Sequence, residues 1–450
     1  MFLKKQTERF QEYLTRPVDN STLVSFRILL GLLLVYQSMV ILKPAQYLTP
    51  FHFTFPLFDA LHLPYWGTEG MRLNFIVMTT SALAIAVGFC YRLACAGFFL
   101  TFGYFFLIEK AYYYNHYYLI LLLTFLLFII GGDHGISLDN VLNPRHKKPT
   151  VCFGNIFILR CQISLVYFFS GIARLTPDWL SGITAKNILA TKPAFISLSN
   201  YFPAEWFINF ITYASPIFDL SIGFILWHPR FRRPALLLAI IFHAATEWLF
   251  DIGIFPQLML ACLILFLDPD QPRKIPGKML RPRLFQPPKK ALPEWKFKFI
   301  FGFMTLYFLV QFLVPLRHFL YQGDVGWTME GYRFSWRMLG VSVRTSPTKF
   351  FVNNSRLQEN NDTPIPITDL NFEQYMDLSM NPDMILQYAH HLKEIYRSDE
   401  TPEPIVTVDA KMALNGRGLT PLIDPKANLA TENYTPFTHA KWILPHPDKY

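Results

Sequence analysis

Charge is scarce in this 450-residue chain: Asp, Glu, Lys and Arg together make up 16% of it, against roughly 25% in an ordinary soluble domain. So little polar surface cannot cover a soluble body of this size. Cysteine is scarcer still. Cys90, Cys95, Cys152, Cys161 and Cys262 are the five present, none lies in the last third, and no CxxC pair occurs. That excludes a zinc ribbon and any disulfide framework in the C-terminal part, and the cysteines, mostly in or beside apolar runs, read as buried thiols. A cleavable signal is missing too: Lys4, Lys5, Arg9 and Arg16 mix with Glu8 and Glu12, and no small-residue cleavage site follows, so the first apolar run is expected to remain as an anchor.

What is abundant is apolar: 52% hydrophobic residues and 17% aromatic ones, with 44 Phe. About 20 apolar residues span a bilayer as a helix. Nine runs qualify, approximately Leu23 to Leu42, Leu73 to Tyr91, Leu93 to Ile108, Tyr112 to Ile130, Ile156 to Leu175, Trp206 to Trp227, Pro234 to Phe250, Ile252 to Leu267 and Phe299 to Leu320. The seventh and eighth are short and joined without a real loop, which also fits a re-entrant pair. Cytoplasmic loops carry the excess of Lys and Arg, and alternate segments obey that rule. With the N-terminus inside, the inner segments hold Lys4, Lys5, Arg9, Arg16, Arg92, Arg145, Lys147, Lys148, Arg230, Arg232, Arg233 and nine more between Arg273 and Lys298; the outer ones hold only Lys43, Arg72, Lys110, Arg174, Lys186 and Lys192. The net charge of +9 therefore reports topology rather than nucleic-acid binding.

The expected architecture is a mainly α polytopic membrane bundle of about nine transmembrane helices, followed by a small, mostly β extracytosolic domain. Residues 1–22 form a cytoplasmic amphipathic segment, 23–320 the membrane domain and 321–450 the outer domain. A Pro/Lys/Arg linker covers 268–296. In the outer domain Trp327 to Val343 reads as an aromatic strand region, and Val406, Val408, Ala410 and Met412 alternate with polar neighbours as in a half-buried strand. Asn415-Gly416 is a hairpin signal. Asn381 to Tyr396 opens with Pro382 and puts Met384, Tyr388 and Leu392 on one helical stripe.

Ionisable residues at bilayer depth are costly and invite a functional reading. Arg160, Tyr167 and Arg174 recur every seven residues, which keeps them on one stripe of an unbroken helix. Arg160 also fits a plain helix anchor. Asn115-His116 lies in the run Tyr112 to Tyr118, which fits an interfacial aromatic belt as well as a site. His243, Glu247 and Asp251 recur every four residues, and Asp219 adds a carboxylate. A metal is not expected, since neither HExxH nor a second HxxxH accompanies them. Arg27 reads as a structural counter-ion, and His390-His391 as solvated surface. Together these groups describe a polar cavity in an aromatic bundle, suited to an apolar ring compound with reactive oxygens such as a quinol; a solute transporter fits the same description.

Several segments carry a wider resemblance: Arg16-Pro17-Val18-Asp19, Phe26 to Gly31, Gly88-Phe89-Cys90-Tyr91-Arg92, Asn115-His116-Tyr117-Tyr118-Leu119, Leu159 to Ile163, Val166 to Ile172, Phe242-His243, Phe334-Ser335-Trp336-Arg337-Met338 and Ile423-Asp424-Pro425. In this order, over nearly the full chain, they resemble the vitamin K-dependent gamma-carboxylases and their bacterial relatives with the horizontally transferred transmembrane domain. The resemblance implies oxidation of reduced vitamin K, or another naphthoquinol, by O2 to an epoxide, coupled to γ-proton abstraction from peptidyl Glu and addition of CO2. By position it assigns His116 to the proton-abstraction or carbanion step, with Asn115 beside it, and His243 to the cavity. Arg160, Tyr167 and Glu247 are expected to bind the quinol. The partners implied are the lipid bilayer, the quinol and a Glu-containing peptide or protein, in a bacterial inner membrane with the C-terminal domain periplasmic or lumenal. One departure stands out: Gly171-Ile172-Ala173-Arg174-Leu175 carries Arg where the family has its catalytic Lys. Arginine does not deprotonate at ordinary pH, so Arg174 is expected to be an electrostatic clamp, with Lys110, Glu247 or His243 taking the proton. A non-enzymatic transporter or quinone-binding protein on the same fold is the other reading.

Overall fold

A computed structural model describes residues 2–45, 51–131, 135–144, 149–201, 203–274, 294–354, 363–399 and 402–447. Arg145, Lys147 and Lys148, and the greater part of the Pro/Lys/Arg linker (275–293), lie outside the described residues.

Among the described residues, seven helices are long and apolar enough to cross a membrane: Ser21–Ala45, Gly67–Val87, Tyr91–Ile108, Phe153–Ala173, Ala204–Ile225, Arg232–Phe250 and Glu294–Leu316. Two shorter apolar helical segments, Asn115–Ile130 and Phe255–Phe266, pack among them. Ser21–Ala45, Gly67–Val87, Tyr91–Ile108 and the shorter Asn115–Ile130 pack in sequence, each against the next, and Phe153–Ala173 lies along Ala204–Ile225. Lipid-facing surface is plain on Glu294–Leu316, where Phe299, Leu306, Leu309 and Leu313 are exposed, as expected where the solvent is hydrocarbon. An N-terminal helix, Phe2–Thr15, lies against the Phe153–Ala173 helix through edge-on ring contacts of Tyr13 with Phe153 and Phe10 with Phe157. The chain is a multi-pass membrane protein.

Close helix contact depends on one glycine in particular. A Cβ on Gly171 would lie 2.7 Å from Leu220 Cγ and 2.9 Å from its backbone nitrogen, so only glycine lets Phe153–Ala173 and Ala204–Ile225 approach this closely. The approach brings Ser170 and Arg174 of one helix against Asp219 of the other.

The C-terminal part has a few short antiparallel strands. Lys349–Asn354 pairs with Pro404–Asp409, while Val343–Thr345, Lys411–Leu414 and Thr420–Pro421 form a second small sheet. Val406, Val408, Ala410 and Met412 are all buried, as their alternation predicts, although the chain changes sheets at Ala410. Helix Pro382–Tyr396 has Pro382 in its first turn and buries Met384, Tyr388 and Leu392. A second helix, Phe372–Leu378, starts with a capping box between Asn371 and Gln374.

Asn415 and Gly416 both adopt left-handed backbone (φ 52° and 81°) at the turn joining Lys411–Leu414 to Thr420–Pro421. This hairpin tip docks on the membrane domain. Arg417 makes a two-pronged contact with the Asp178 carboxylate at 2.7 and 2.8 Å, and Asn415 Nδ2 donates to the same group at 2.7 Å.

Three readings change. Trp327 to Val343 is not a strand: only Val343–Thr345 extends, and Met329, Gly331, Phe334, Trp336 and Leu339 all have positive φ, in a loop that folds back into the bundle. The five cysteines are free, but Cys90 is exposed and Cys152 and Cys161 are only half-buried. His391 is not plain solvated surface, since it pairs with Asp369 at 2.8 Å and stacks on Phe51 at 4.2 Å.

Candidate active site

The loop formed by residues 329–339 positions the site. Phe334 and Trp336 belong to the membrane domain's own hydrophobic core. Phe334 meets the rings of Phe55, Phe106, Tyr113 and Tyr118 at 5.1 to 6.0 Å, and its backbone N–H donates to the Tyr113 hydroxyl at 2.7 Å. Trp336 is fully buried and stacks on Tyr118 at 4.9 Å. Aromatic burial on this scale holds non-glycine residues in a backbone region they rarely adopt, a form of strain that concentrates at functional sites.

The carbonyls of Arg337 and Met338 are the meeting point of two predicted site residues. Asn115 Nδ2 donates to Arg337 O at 3.3 Å, and Arg174 Nη2 donates to Met338 O at 3.1 Å. Beside Asn115, His116 is 8% exposed; its ring stacks on Tyr114 and meets Tyr117 edge-on, and a Cβ on Gly253 would lie 3.7 Å from it. Arg174 is ion-paired with Asp219, also donates to Ser170 Oγ at 3.0 Å, and lies over the Trp179 ring at 5.3 Å. Ser170 Oγ donates to the same Asp219 oxygen at 2.8 Å. The Arg174 charge is thus balanced within the protein, and only its Nε is left buried without a partner.

His243 is hydrogen-bonded to the Tyr167 hydroxyl through Nε2 at 2.6 Å, while its Nδ1 is buried with no partner. Glu247, one turn later, has a buried, unpartnered Oε2. Arg160 sits apart. It is two helical heptads before Arg174, roughly 21 Å along the axis, and donates to the terminal carbonyls Leu265 O and Leu267 O at 2.7 and 3.0 Å between the rings of Phe153, Trp227 and Phe266. Arg160 therefore ties off the end of the Phe255–Phe266 segment. Arg160→Met is expected to cost about 1–2 kcal/mol by leaving the buried Leu265 carbonyl and the part-buried Leu267 carbonyl without this donor, read as a lower unfolding temperature in lipid nanodiscs; an unchanged temperature would contradict the tether.

Two cavities flank the loop. An apolar groove of about 470 Å³ is lined by Phe58, Phe99, Tyr104, Phe106, Tyr118, Phe125, Tyr307 and Phe334, among others. Its hydroxyls are anchored, Tyr118 to Gln311 at 3.1 Å and Tyr307 to Gln162 at 2.8 Å. These residues escape a search for ionisable groups; a glutamine in the middle of an apolar span, Gln311 or Gln162, was the available signal. His116, Arg174 and His243 do not line this groove. The other cavity is small and charged, at the junction with the C-terminal domain, and includes Lys110. Among the described residues no group of three or more His, Cys, Asp or Glu side chains is arranged to hold a metal.

At that junction the charges are coupled. Burial would raise the Asp383 carboxyl, but the Lys110 and Arg333 charges outweigh it and hold it below its ordinary value of 3.8. A depressed carboxylate stabilises the docked state at neutral pH and loses that contribution only as pH falls from 3.8 through its folded value. The Asp383 contact is thus expected to persist at pH 5 and to release in stronger acid; hydrogen exchange over Pro382–Tyr396 tests this, and release between pH 7 and 5 would contradict it.

Residues 15–271 match the HTTM domain and residues 296–449 match the vitamin K-dependent gamma-carboxylase, lumenal domain. The chain belongs to the HTTM, gamma-carboxylase-like family. The inserted loop is part of the lumenal-type region, whereas Asn115, His116, Arg174 and His243 lie in the HTTM domain. Sporulation-delaying protein SdpB of Bacillus subtilis (strain 168) is 32% identical over 137 residues, 29% of this chain and 42% of that protein. The chain thus spans less than half the length of this curated relative. No solved structure matches the chain.

Proposed function

We propose that the protein is a membrane-embedded peptidyl-glutamate carboxylase that couples carboxylation to oxidation of a reduced naphthoquinone, with residues 1–22 and the N-terminus cytoplasmic, residues 23–320 in a bacterial inner membrane and residues 321–450 periplasmic or lumenal. The observation that carries this reading is the loop of the lumenal-type region lodged in the HTTM bundle, with its Arg337 and Met338 carbonyls held by Asn115 and Arg174. A site closed in this way excludes water, which strong-base chemistry requires.

The residues fit a quinol. The apolar groove, walled by Phe334 and by the Tyr118 ring on which Trp336 stacks, suits a fused ring and a prenyl tail; Trp336 Nε1 and Arg174 Nε are buried donors with no partner, but they lie outside the groove's lining. Oxidised by O2, such a quinol supplies the base that removes a glutamyl γ-proton, and the resulting carbanion takes up CO2. His116, with no hydrogen bond among the described residues, offers a ring nitrogen to hold or pass a proton next to Asn115. His243, its Nε2 engaged by Tyr167, offers Nδ1, and Glu247 on the same helix is a second proton acceptor. Arg174 positions the loop and contributes an N–H donor; it does not act as a base.

The second reading, a non-enzymatic transporter or quinone-binding protein, is favoured by the internal neutralisation of Arg174 by Asp219. The two separate in one assay. Purified protein given reduced vitamin K, O2, labelled bicarbonate and a Glu peptide should form epoxide and fix label; quinone binding or vesicle flux without either product would support the second reading.

A further inference from the structure

We propose that the end of the bundle that carries the N-terminal helix holds a site for the headgroup of an anionic phospholipid, built on Arg16 and Arg160. Neither arginine contributes to the candidate active site, and the inference is independent of the carboxylase reading.

Three elements close on one ring. Strand Pro17–Asp19 pairs with Thr150–Cys152, which brings Arg16 to the start of the Phe153–Ala173 helix, where its carbonyl accepts from the Phe153 backbone N–H at 3.0 Å. The Arg16 guanidinium lies over the Phe153 ring at 4.3 Å and over the Tyr13 ring at 4.4 Å. Arg160, about two turns further along the helix, reaches back to the same Phe153 ring at 5.6 Å. It also lies over Trp227 at 5.8 Å, whose carbonyl accepts from Arg232 Nη2 at 3.5 Å.

The charges gathered here do not cancel. Arg232 is paired with Asp268 at 2.5 Å, Arg273 with Asp19 at 3.1 Å and Lys274 with Asp270 at 2.5 Å, and among the described residues no carboxylate lies within salt-bridge distance of Arg16 or Arg160. Arg160 is 3% exposed; Nε and Nη2 donate to two carbonyls, which carry no net charge, and among the described residues Nη1 makes no hydrogen bond. A buried guanidinium is normally matched by an anion. The open edge of Arg160 and the guanidinium of Arg16, on one ring, fit the oxygens of a phosphate group.

The surroundings favour a lipid phosphate over a free one. Phe10 and Tyr13 of the N-terminal helix are exposed, and so is Phe231, which stands between the exposed Arg230 and the Arg232 already placed at Trp227. Exposed rings beside cations at the end of a membrane bundle lie where acyl chains meet headgroups, the rings in the apolar boundary and the cations at phosphate level.

Native mass spectrometry of the full chain, released from nanodiscs of phosphatidylcholine and phosphatidylglycerol in equal parts, tests the site by counting the lipids retained. Phosphatidylglycerol is expected to be retained over phosphatidylcholine by about tenfold or more, since each basic residue at an anionic lipid surface contributes a factor of about five. Arg16→Gln is expected to lower that preference about fivefold. Arg92→Gln removes an exposed cation from the first turn of Tyr91–Ile108, at the same end of the bundle and outside this cluster, and should leave the preference unchanged. Inorganic phosphate, equimolar with the lipid, should not displace it; displacement would make this a site for free phosphate and overturn the lipid assignment. Equal retention of the two lipids by the unaltered protein, which needs no variant, overturns the proposal. So does an equal loss of preference in the folded Arg16 and Arg92 variants, which would mean diffuse attraction to a basic membrane face rather than a site.

Discussion

Asp219→Asn is expected to cost about 3–5 kcal/mol of folded-state stability, because it leaves the Arg174 guanidinium charged and unpaired inside the bundle. Both side chains of the pair are more than nine-tenths buried, and the helices that carry them are held in close contact at Gly171. The penalty belongs to the orphaned charge rather than to the ion pair itself. Replacing both partners, Arg174→Met with Asp219→Leu, is therefore expected to recover most of the loss, as apolar replacement of a buried pair commonly does. Arg174→Lys should fall between, since a lysine keeps the charge opposite Asp219 but gives up the donor to Met338 O. Unfolding temperatures of the four proteins in one nanodisc preparation check the order; an Asp219→Asn protein as stable as the double variant would contradict it.

Arg417→Met is expected to cost about 2–3 kcal/mol of docking between the two parts of the molecule. Asp178 is 7% exposed and accepts two hydrogen bonds from Arg417 and one from Asn415, so losing the arginine strips most of its compensation. The value is set below that for a fully enclosed pair because the Arg417 side chain remains 22% exposed and solvent screens it. Faster hydrogen exchange over Lys411–Leu414 and Thr420–Pro421, with the membrane helices unchanged, is the signature. Exchange that does not change would assign the hairpin contact no role in docking.

The membrane helices were legible because their signal is compositional: runs of apolar residues, separated by connections that hold most of the Lys and Arg, need no knowledge of long-range packing. The Pro382–Tyr396 helix and the Asn415-Gly416 turn were legible for a similar reason, since each is written in adjacent residues. The 329–339 loop was not. Its Trp, Tyr and Phe residues have strand propensity, and what defeats that propensity is tertiary: Phe334 enters a nest of rings from four other segments, and Trp336 lies flat on Tyr118. The candidate site was legible as residues and not as pairs. Arg174 and Asp219 both stood out as ions in apolar runs, yet a separation of 45 residues, through three short helices, does not reveal that they face each other. The partner of Lys110 was further still from view, since Asp383 is 273 positions away on another domain.

His116, which the family resemblance assigns to the proton-abstraction or carbanion step, lies next to the asparagine that holds the inserted loop. The most direct test is fixation of labelled CO2 into a Glu peptide, with reduced vitamin K and O2, by the unaltered protein and by His116→Ala side by side. The unaltered protein should fix label and form epoxide, and His116→Ala should lose label fixation by a factor of about 10²–10⁴, the usual contribution of a positioned acid or base, while still binding quinol. No label fixed by well-folded unaltered protein, or equal fixation by the two, would contradict the account.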